Sequence, residues 1–436
     1  MGTKMPPKPS TRSTLPLDAV TFPGHKSGSS ELQAAWVDFC AAVGEAHVST
    51  AETDLAHHSS SGWSSHQPPA GAAGPFCVVY PASTEEVAAV VKICHARRIP
   101  VTAYSGGTSL EGHYAPTRGG VVVDFGRMNR ILAVHAEDLD AVVQPGLGWE
   151  ALNDALAAHG LFFPPDPGPG AMIGGMVGTG CSGTNAYRYG TMRDWVLSLT
   201  AVLPDGTVIK TRRRPRKSSA GYDLTRLLVG SEGTLALVTE ATLKLAVRPP
   251  ATSVAVAAFP SVRAAADCVA RVVGGGVPVA AVELLDAAQL RAINAAGATA
   301  RVWPDAPSLF FKFAGTPAAV REQVGLVRAM ARTAGARSFD FAKDDDERDE
   351  LWSARKEALW STIAAGREGD RVWTGDVAVP ISRLPDIIEE TQGDLKASGL
   401  FGTIVGHAGD GNFHSASPSL SLPLSPPWGK RMGGLS

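Results

Sequence analysis

Residues 104–113 read Tyr104-Ser105-Gly106-Gly107-Thr108-Ser109-Leu110-Glu111-Gly112-His113, directly after the apolar run Ile99-Pro100-Val101-Thr102-Ala103. Paired glycines let successive backbone N–H groups turn toward one point, and the Ser and Thr hydroxyls add donors. That is the physics of a pyrophosphate cradle. Two better-known phosphate loops are excluded by spacing. No Gly-Lys-Ser/Thr follows, as a Walker loop needs, and no G-x-G-x-x-G opens a helix. A lone Gly-Gly pair is more often a tight surface turn.

This pair is not alone. Phe163-Pro164-Pro165-Asp166-Pro167-Gly168 leads into Ile173-Gly174-Gly175-Met176-Val177-Gly178-Thr179-Gly180, followed by Ser182-Gly183, Arg188-Tyr189-Gly190 and Gly230-Ser231-Glu232-Gly233-Thr234-Leu235. Loops this dense in glycine allow close backbone approach to a long, flat ligand. The stretch 168–190 cannot be packed helix throughout.

Outward from these loops, Phe76-Cys77-Val78-Val79-Tyr80 reads as a buried strand. Ser83 and Glu86 form a capping box, and the helix that follows buries Val87, Val90, Val91 and Cys94 before the strand 99–104. This is a β-α-β unit. Short strands are expected at 120–125 and 141–145, with a helix at 149–159 closed by Gly160. Asp205-Gly206 predicts a hairpin turn, and a further strand pair is expected within 234–247. After Arg248-Pro249-Pro250 apolar strands alternate with helices near 262–273, 287–294 and 318–334. That rhythm predicts a separate α+β domain with its boundary near 249.

A chain of 436 residues is too long for one core. Its formal net charge of −2 gives no sign of nucleic-acid binding, and no apolar run reaches the roughly 18 residues of a membrane span. Five cysteines without a C-x-x-C pair read as free thiols in a reducing compartment. The first thirty residues are rich in Ser, Thr and Pro, with Lys4, Lys8, Arg12 and Lys26 against Asp18. They read as either an organellar transit segment or a disordered tail.

Near the other end, His407 and His414 bracket Ala408-Gly409-Asp410-Gly411. A strand-turn-strand there returns one histidine toward the other, as two ligands of one ion require, with Asn412 beside them. H-x6-H by itself also fits two unrelated loop histidines. Arg355 lies in Leu351-Trp352-Ser353-Ala354-Arg355-Lys356, and on residues alone it reads as an exposed helical Arg paired with the acidic run 344–350. Residues 415–436 hold no Asp, Glu or His and are dominated by Ser, Leu and Pro.

Taken together, these stretches resemble the PCMH-type FAD-binding domain of the vanillyl-alcohol-oxidase superfamily. Within it the chain is most similar to the FAD-linked D-lactate dehydrogenase (cytochrome-type) group, whose neighbours are the D-2-hydroxyglutarate dehydrogenases and the glycolate oxidase flavin subunit. The resemblance covers residues 75–414. It implies an α+β fold: a PCMH-type FAD-binding domain of two α+β subdomains at 75–249, then a ferredoxin-like α+β cap at 250–414. A disordered or targeting segment (1–35) and a helix and loop (36–74) precede them, and an aberrant tail (415–436) follows.

The resemblance also implies roles. Ser105, Gly106, Gly107, Thr108, Ser109, Gly112 and His113 would hold the FAD pyrophosphate. Pro165, Asp166, Gly174, Gly175, Gly178, Thr179, Ser182, Gly183, Tyr189 and Gly190 would cover the flavin, with Glu232, Gly233 and Val238 closing the site. Members with covalent flavin often carry His where Thr108 stands, so the FAD is expected to be non-covalent. Arg355 would bind the substrate carboxylate. His407 and His414 would hold a divalent metal, zinc or similar, that polarises the hydroxyl, and Asn412 and His414 would act beside it.

The segment 372–377 has no Lys to hold a second carboxylate, though Arg371 adjoins it. That favours a small monoacid, D-lactate, over 2-hydroxyglutarate; glycolate is a further alternative. Cytochrome c is the implied electron acceptor and the mitochondrion the implied location. The group continues to a Gly-Glu-His-Gly segment whose Glu completes the metal site and whose His is the candidate base. None occurs here, so the expectation is a truncated or altered form, through translated intron, a shifted frame or an alternative end. A flavin binder without turnover, and an oxidase or synthase branch of the same fold, are the other readings.

Overall fold

The computed structural model describes residues 24–26, 28–60, 64, 74–368 and 370–419. Expectations for residues 1–23 and 420–436 lie outside the described residues. The helix Ser29–Val43 already occupies part of the expected leader, and it buries Leu32, Ala35 and Phe39 against Val87, Val91 and Cys94 of the helix Thr84–Arg97. An apolar face that finds a partner orders a segment whatever its flanking composition.

The first sheet holds β1 (Val48–Ser49), β2 (Cys77–Val79), β3 (Val101–Tyr104) and β4 (Val121–Asp124) in the order β1-β2-β4-β3. The last three run parallel. The crossover helix Thr84–Arg97 is capped as expected: Glu86 N donates to Ser83 Oγ at 3.2 Å, and the Glu86 carboxylate reaches back to Ala82 N at 2.7 Å. β4 inserts between the two strands of the β-α-β unit. β3 therefore ends at the sheet edge, where the glycine loop leaves it.

The second sheet contains β5 (Ile131–His135) and β6 (Asp140–Val143); β7 (Leu161–Phe162) lies apart from it. β8 (Val196–Val202), β9 (Val208–Lys210) and β10 (Leu237–Lys244) complete the order β5-β6-β10-β8-β9, and β7 pairs with β11 (Ala246–Val247). β8 and β9 form the expected hairpin, with Gly206 at φ +83°. The strand pair expected within 234–247 does not form. Leu245 alone separates β10 from β11, too short for a reversal, and each strand finds another partner. The helices Trp149–Ala157 and Ile173–Thr179 pack onto this sheet through Leu152, Leu156, Ile173 and Met176.

The third sheet is antiparallel throughout. It comprises β12 (Ala251–Ala258), β13 (Ala281–Leu285), β14 (Ser308–Gly315), β15 (Ser338–Phe341), β16 (Arg371–Ala378), β17 (Thr403–His407) and β18 (Asn412–Ser419), in the order β15-β12-β14-β13-β17-β18-β16. Its first four strands and the helices Val262–Gly274 and Pro317–Thr333, both on one face, give the ferredoxin-like arrangement. β17, β18 and β16 extend it beyond β13. The opposite face carries Val254, Val256 and Phe310 against Leu351, Trp352 and Ala354 of the helix Asp345–Lys356.

β18 does not stop at His414, where the sequence changes character. It pairs with β16 as far as Ser419. Pro418 lies beyond Ala416, the last residue paired with β17, so its missing N–H removes no bond on that side.

Candidate active site

The loop after β3, the helix Ile173–Thr179 and the loop before β10 enclose one cavity of about 450 Å³. Ser105, Gly106, Gly107, Thr108, Ser109 and His113 line it from the first loop. Gly174, Gly175, Gly178, Thr179 and Ser182 line it from the helix, and Glu232, Gly233 and Val238 from the third segment. The stretch 168–190 is thus helical only over Ile173–Thr179, ended by Gly180 at φ +63°, and over the single turn Ala186–Tyr189.

Local bonds shape the loop after β3. Ser105 Oγ donates to Pro145 O at 3.1 Å, and Tyr114 Oη donates to Gly107 O at 3.2 Å. Gly107 sits at φ +62°, and a Cβ there would overlap Tyr104 Oη. Glu232 adopts φ +50°, a region that side chains rarely occupy, while its N–H donates to Gly178 O at 2.9 Å. That bond joins two walls of the cavity, and strain of this kind concentrates at ligand sites.

Beneath the loop, His58 is 3 % exposed. Its Nδ1 lies 2.7 Å from Asp54 O and its Nε2 2.8 Å from Asp124 Oδ2. Both partners are acceptors, so both ring nitrogens are placed to donate, which favours the protonated ring. Burial disfavours that charge, but the hydrogen bond and charge of Asp124 outweigh it and raise the His58 pKa.

Gly112, Pro165, Asp166, Gly183, Tyr189 and Gly190 do not line this cavity. Asp166 instead staples its own loop, accepting from Thr184 Oγ1 at 2.6 Å and Asn185 N at 2.9 Å. A Cβ on Gly183 would overlap that same carboxylate. Tyr189 packs edge-on against Phe162 and Trp195. Conversely, Met172, Met176, Cys181 and Asp376 line the cavity without having been expected there. The first three neighbour glycines already singled out; Asp376 arrives from β16 and has no local signal.

A second cavity, about 350 Å³, adjoins the first, with Ser109, Glu111 and Asp376 in both walls. Arg355 and His414 line it. Arg355 is not an exposed helical cation: its side chain is 16 % exposed, and its Nε donates to Glu283 Oε2 at 2.7 Å. The acidic run acts elsewhere. Asp344 caps the helix, and Arg348 takes Asp345 and Asp349.

Glu283, 1 % exposed, also lies 2.8 Å through Oε1 from His407 Nδ1. The sheet register sets this contact, because Glu283 of β13 stands directly opposite His407 of β17. Likewise Asp376 stands opposite His414, with Oδ1 3.3 Å from Nδ1. The two imidazoles are nearly perpendicular, their centroids 5.3 Å apart. Asn412 lines neither cavity; its Nδ2 donates to Asp376 Oδ1 at 2.7 Å and to Val377 O at 3.0 Å.

Burial alone would raise the Glu283 carboxyl, but His407 and Arg355 together outweigh it and hold it below the usual range. Burial opposes the His407 imidazolium, and the Glu283 charge overcomes it, so that pKa rises. Asp376 is lowered by its hydrogen bond with His414, against burial. Lys312, on β14, is lowered by burial despite Asp166 and Glu283, and sits 5.0 Å over the Trp352 ring.

Among the described residues no group of three or more His, Cys, Asp or Glu is arranged to hold a metal. The carboxylates nearest the two histidines are already engaged at Nδ1. As a donor set for a metal, His407 and His414 are therefore incomplete. The five cysteines are free, as expected, and no helix of the described residues is long and apolar enough to cross a membrane.

Residues 75–212 match the family described as FAD binding domain, and residues 248–416 match FAD linked oxidases, C-terminal domain. D-lactate dehydrogenase (cytochrome) 1, mitochondrial, of Saccharomyces cerevisiae is 47 % identical over 413 residues, 92 % of this chain and 70 % of that protein. The mitochondrial D-lactate dehydrogenase (cytochrome) of Kluyveromyces lactis is 49 % identical over 377 residues, 85 % of this chain and 65 % of that protein. The chain thus spans about two thirds of the length of these relatives. Among solved structures, an alkyldihydroxyacetonephosphate synthase superposes with a TM-score of 0.72 at 20 % identity, over 93 % of this chain and 84 % of that one. At that identity the likeness is one of fold.

Proposed function

The chain belongs to the FAD-linked oxidase family, and from that premise we propose that it oxidises a D-2-hydroxy acid, D-lactate, to the 2-oxo acid in the mitochondrion. Bound non-covalently in the larger cavity, FAD supplies the hydride acceptor. The residues present suit it: the walls are glycine backbone and hydroxyls, and at Gly175 and Gly178 the nearest protein atom to an added Cβ is 3.8 Å away. Loop N–H groups and the hydroxyls of Thr108 and Ser109 bind the pyrophosphate, while the Ser105 hydroxyl, donating to Pro145 O, holds the loop in place.

Arg355 holds the substrate carboxylate. Its Nε is engaged, and its two terminal Nη groups make no hydrogen bond among the described residues, which leaves the planar fork for a bidentate grip. The hydroxyl proton passes to Nε2 of His414, the imidazole in the wall of the substrate cavity, with Asp376 at Nδ1 stabilising the charge that forms. Asp376 and Asn412 hold one another at the boundary of the two cavities. Electrons then leave for cytochrome c.

The substrate class rests on one observation. Arg355 is the only Lys or Arg among the described residues lining the smaller cavity, and Glu111 and Asp376 share that wall. A second carboxylate would meet like charge, so a monoacid fits and 2-hydroxyglutarate does not. Arg371 is exposed on β16 and lies outside the cavity wall. Flavin reduction rates for D-lactate, glycolate and D-2-hydroxyglutarate test this. D-lactate is expected to be fastest; faster reduction by the diacid would reverse the assignment.

A second reading, favoured by the side-by-side imidazoles, places a divalent ion on His407 and His414. Because the donors described do not complete its shell, no step is assigned to it. Calorimetric titration with zinc, repeated on His407→Ala, tests this reading, and equal heats from both proteins would dismiss it.

A further inference from the structure

We propose that Glu283 is a positioning residue that sets the carboxylate-binding fork of Arg355 and the tautomer of His407 in one geometry. The inference rests on the substrate reading above and deepens it.

Glu283 lies on β13, with β14 on one side and β17 on the other. A carboxylate inside a sheet is costly unless its lone pairs are satisfied, and an apolar residue at such a place commonly serves stability as well or better. Its two oxygens divide between two groups that arrive on separate elements. Oε2 takes Nε of Arg355, from the last turn of the helix Asp345–Lys356, and Oε1 takes Nδ1 of His407, from β17.

Each contact leaves a defined group, and that of Arg355 faces the substrate cavity. Engaging Arg355 through Nε turns its terminal Nη pair away from Glu283, the edge that accepts a carboxylate as two parallel bonds. Engaging His407 at Nδ1 leaves Nε2, which makes no hydrogen bond among the described residues. One rigid carboxylate thereby ties Arg355, which lines the substrate cavity, to His407 of β17, which lines neither cavity, and so fixes the guanidinium relative to the sheet. Small displacements of such groups are enough to lose rate.

Glu283→Gln is nearly isosteric but offers one acceptor oxygen and an NH2, so it satisfies only one of the two donors. Three measurements on the FAD-loaded full chain test the proposal. Pyruvate affinity is read from perturbation of the flavin spectrum. The rate of flavin reduction is read with saturating D-lactate, and the His407 tautomer from 15N imidazole shifts.

Glu283→Gln is expected to weaken pyruvate about tenfold, the loss of one charge-assisted bond. Flavin reduction should slow by a further factor of about 100, and the His407 Nδ1–H signature should change while FAD affinity stays the same. In an Arg355→Lys background the effect of Glu283→Gln on pyruvate should largely vanish, since the fork it positions is gone. A purely structural role would leave the two effects additive.

Wild-type pyruvate affinity and an unchanged tautomer in Glu283→Gln would overturn the proposal, as would additivity with Arg355→Lys. If D-lactate fails to reduce the wild-type flavin while the pyruvate and tautomer effects appear, the substrate reading fails and the positioning role stands. Should Glu283→Gln not fold, Glu283→Asp keeps the charge but withdraws it by one methylene, and the same three measurements apply.

Discussion

Gly175→Ala should stabilise the protein without cofactor and weaken FAD, two effects of opposite sign from one methyl group. Gly175 lies within the helix Ile173–Thr179 at a backbone conformation open to any residue. An added Cβ would find its nearest protein atom, Ser105 Cβ, at 3.8 Å, an ordinary contact. Replacing a helical Gly by Ala at a compatible position stabilises by about 0.4–1 kcal/mol, chiefly by restricting the unfolded chain. The methyl group nevertheless belongs to a residue that lines the larger cavity. Overpacking a fitted ligand by one methyl costs about 1–3 kcal/mol, roughly a 5- to 150-fold rise in Kd. Urea melts of the flavin-free protein and fluorescence titration with FAD read the two signs separately. If FAD affinity is unchanged while apo stability rises, the cavity is not where the flavin backbone contact lies, and the assignment of this helix fails.

Three further outcomes follow from the geometry. The raised His58 pKa means that the His58–Asp124 pair contributes fully below the unfolded value near 6.5 and is lost as pH rises through the folded value. The unfolding free energy should therefore fall as pH rises above about 6.5, and His58→Gln should flatten that part of the curve. Arg355→Lys keeps the charge but not the fork, so kcat/KM for D-lactate should fall roughly 100-fold with FAD affinity intact; steady-state assays with a cytochrome c acceptor measure it. Burial pushes the thiols of Cys77, Cys94, Cys181 and Cys268 up to about 12. Thiol reagents at mildly alkaline pH should leave these four slow in the native protein and label all five cysteines quickly in guanidinium.

Features that depend on neighbours in the chain were legible from residues alone. The capping box at Ser83 and Glu86, the Asp205-Gly206 hairpin and the reversal between His407 and His414 all formed, because turn and cap chemistry acts over a few residues. The glycine loops also met around one cavity, although Asp166, Gly183 and Tyr189 shape loops behind its wall. What escaped was set by register between distant strands. Arg355 lies beside many acids in sequence, yet its partner is Glu283, brought by β13 from 72 residues away. Asp376 reaches both cavities only because β16 pairs with β18. One signal was available: Ala281-Val282-Glu283-Leu284-Leu285 carries a single charge in an otherwise apolar strand, and a charge buried there must have partners. The β10–β11 pairing failed for the complementary reason, since an alternating pattern reveals a strand without naming its neighbour.

The central claim is that the two adjoining cavities together carry hydride from a D-2-hydroxy acid to FAD. Anaerobic mixing of the FAD-loaded chain with D-lactate tests it in a single turnover. The account predicts that the flavin absorbance bleaches with one pyruvate formed per flavin, and that L-lactate leaves it oxidised. A flavin that binds tightly yet stays oxidised with D-lactate and with every other 2-hydroxy acid would contradict it.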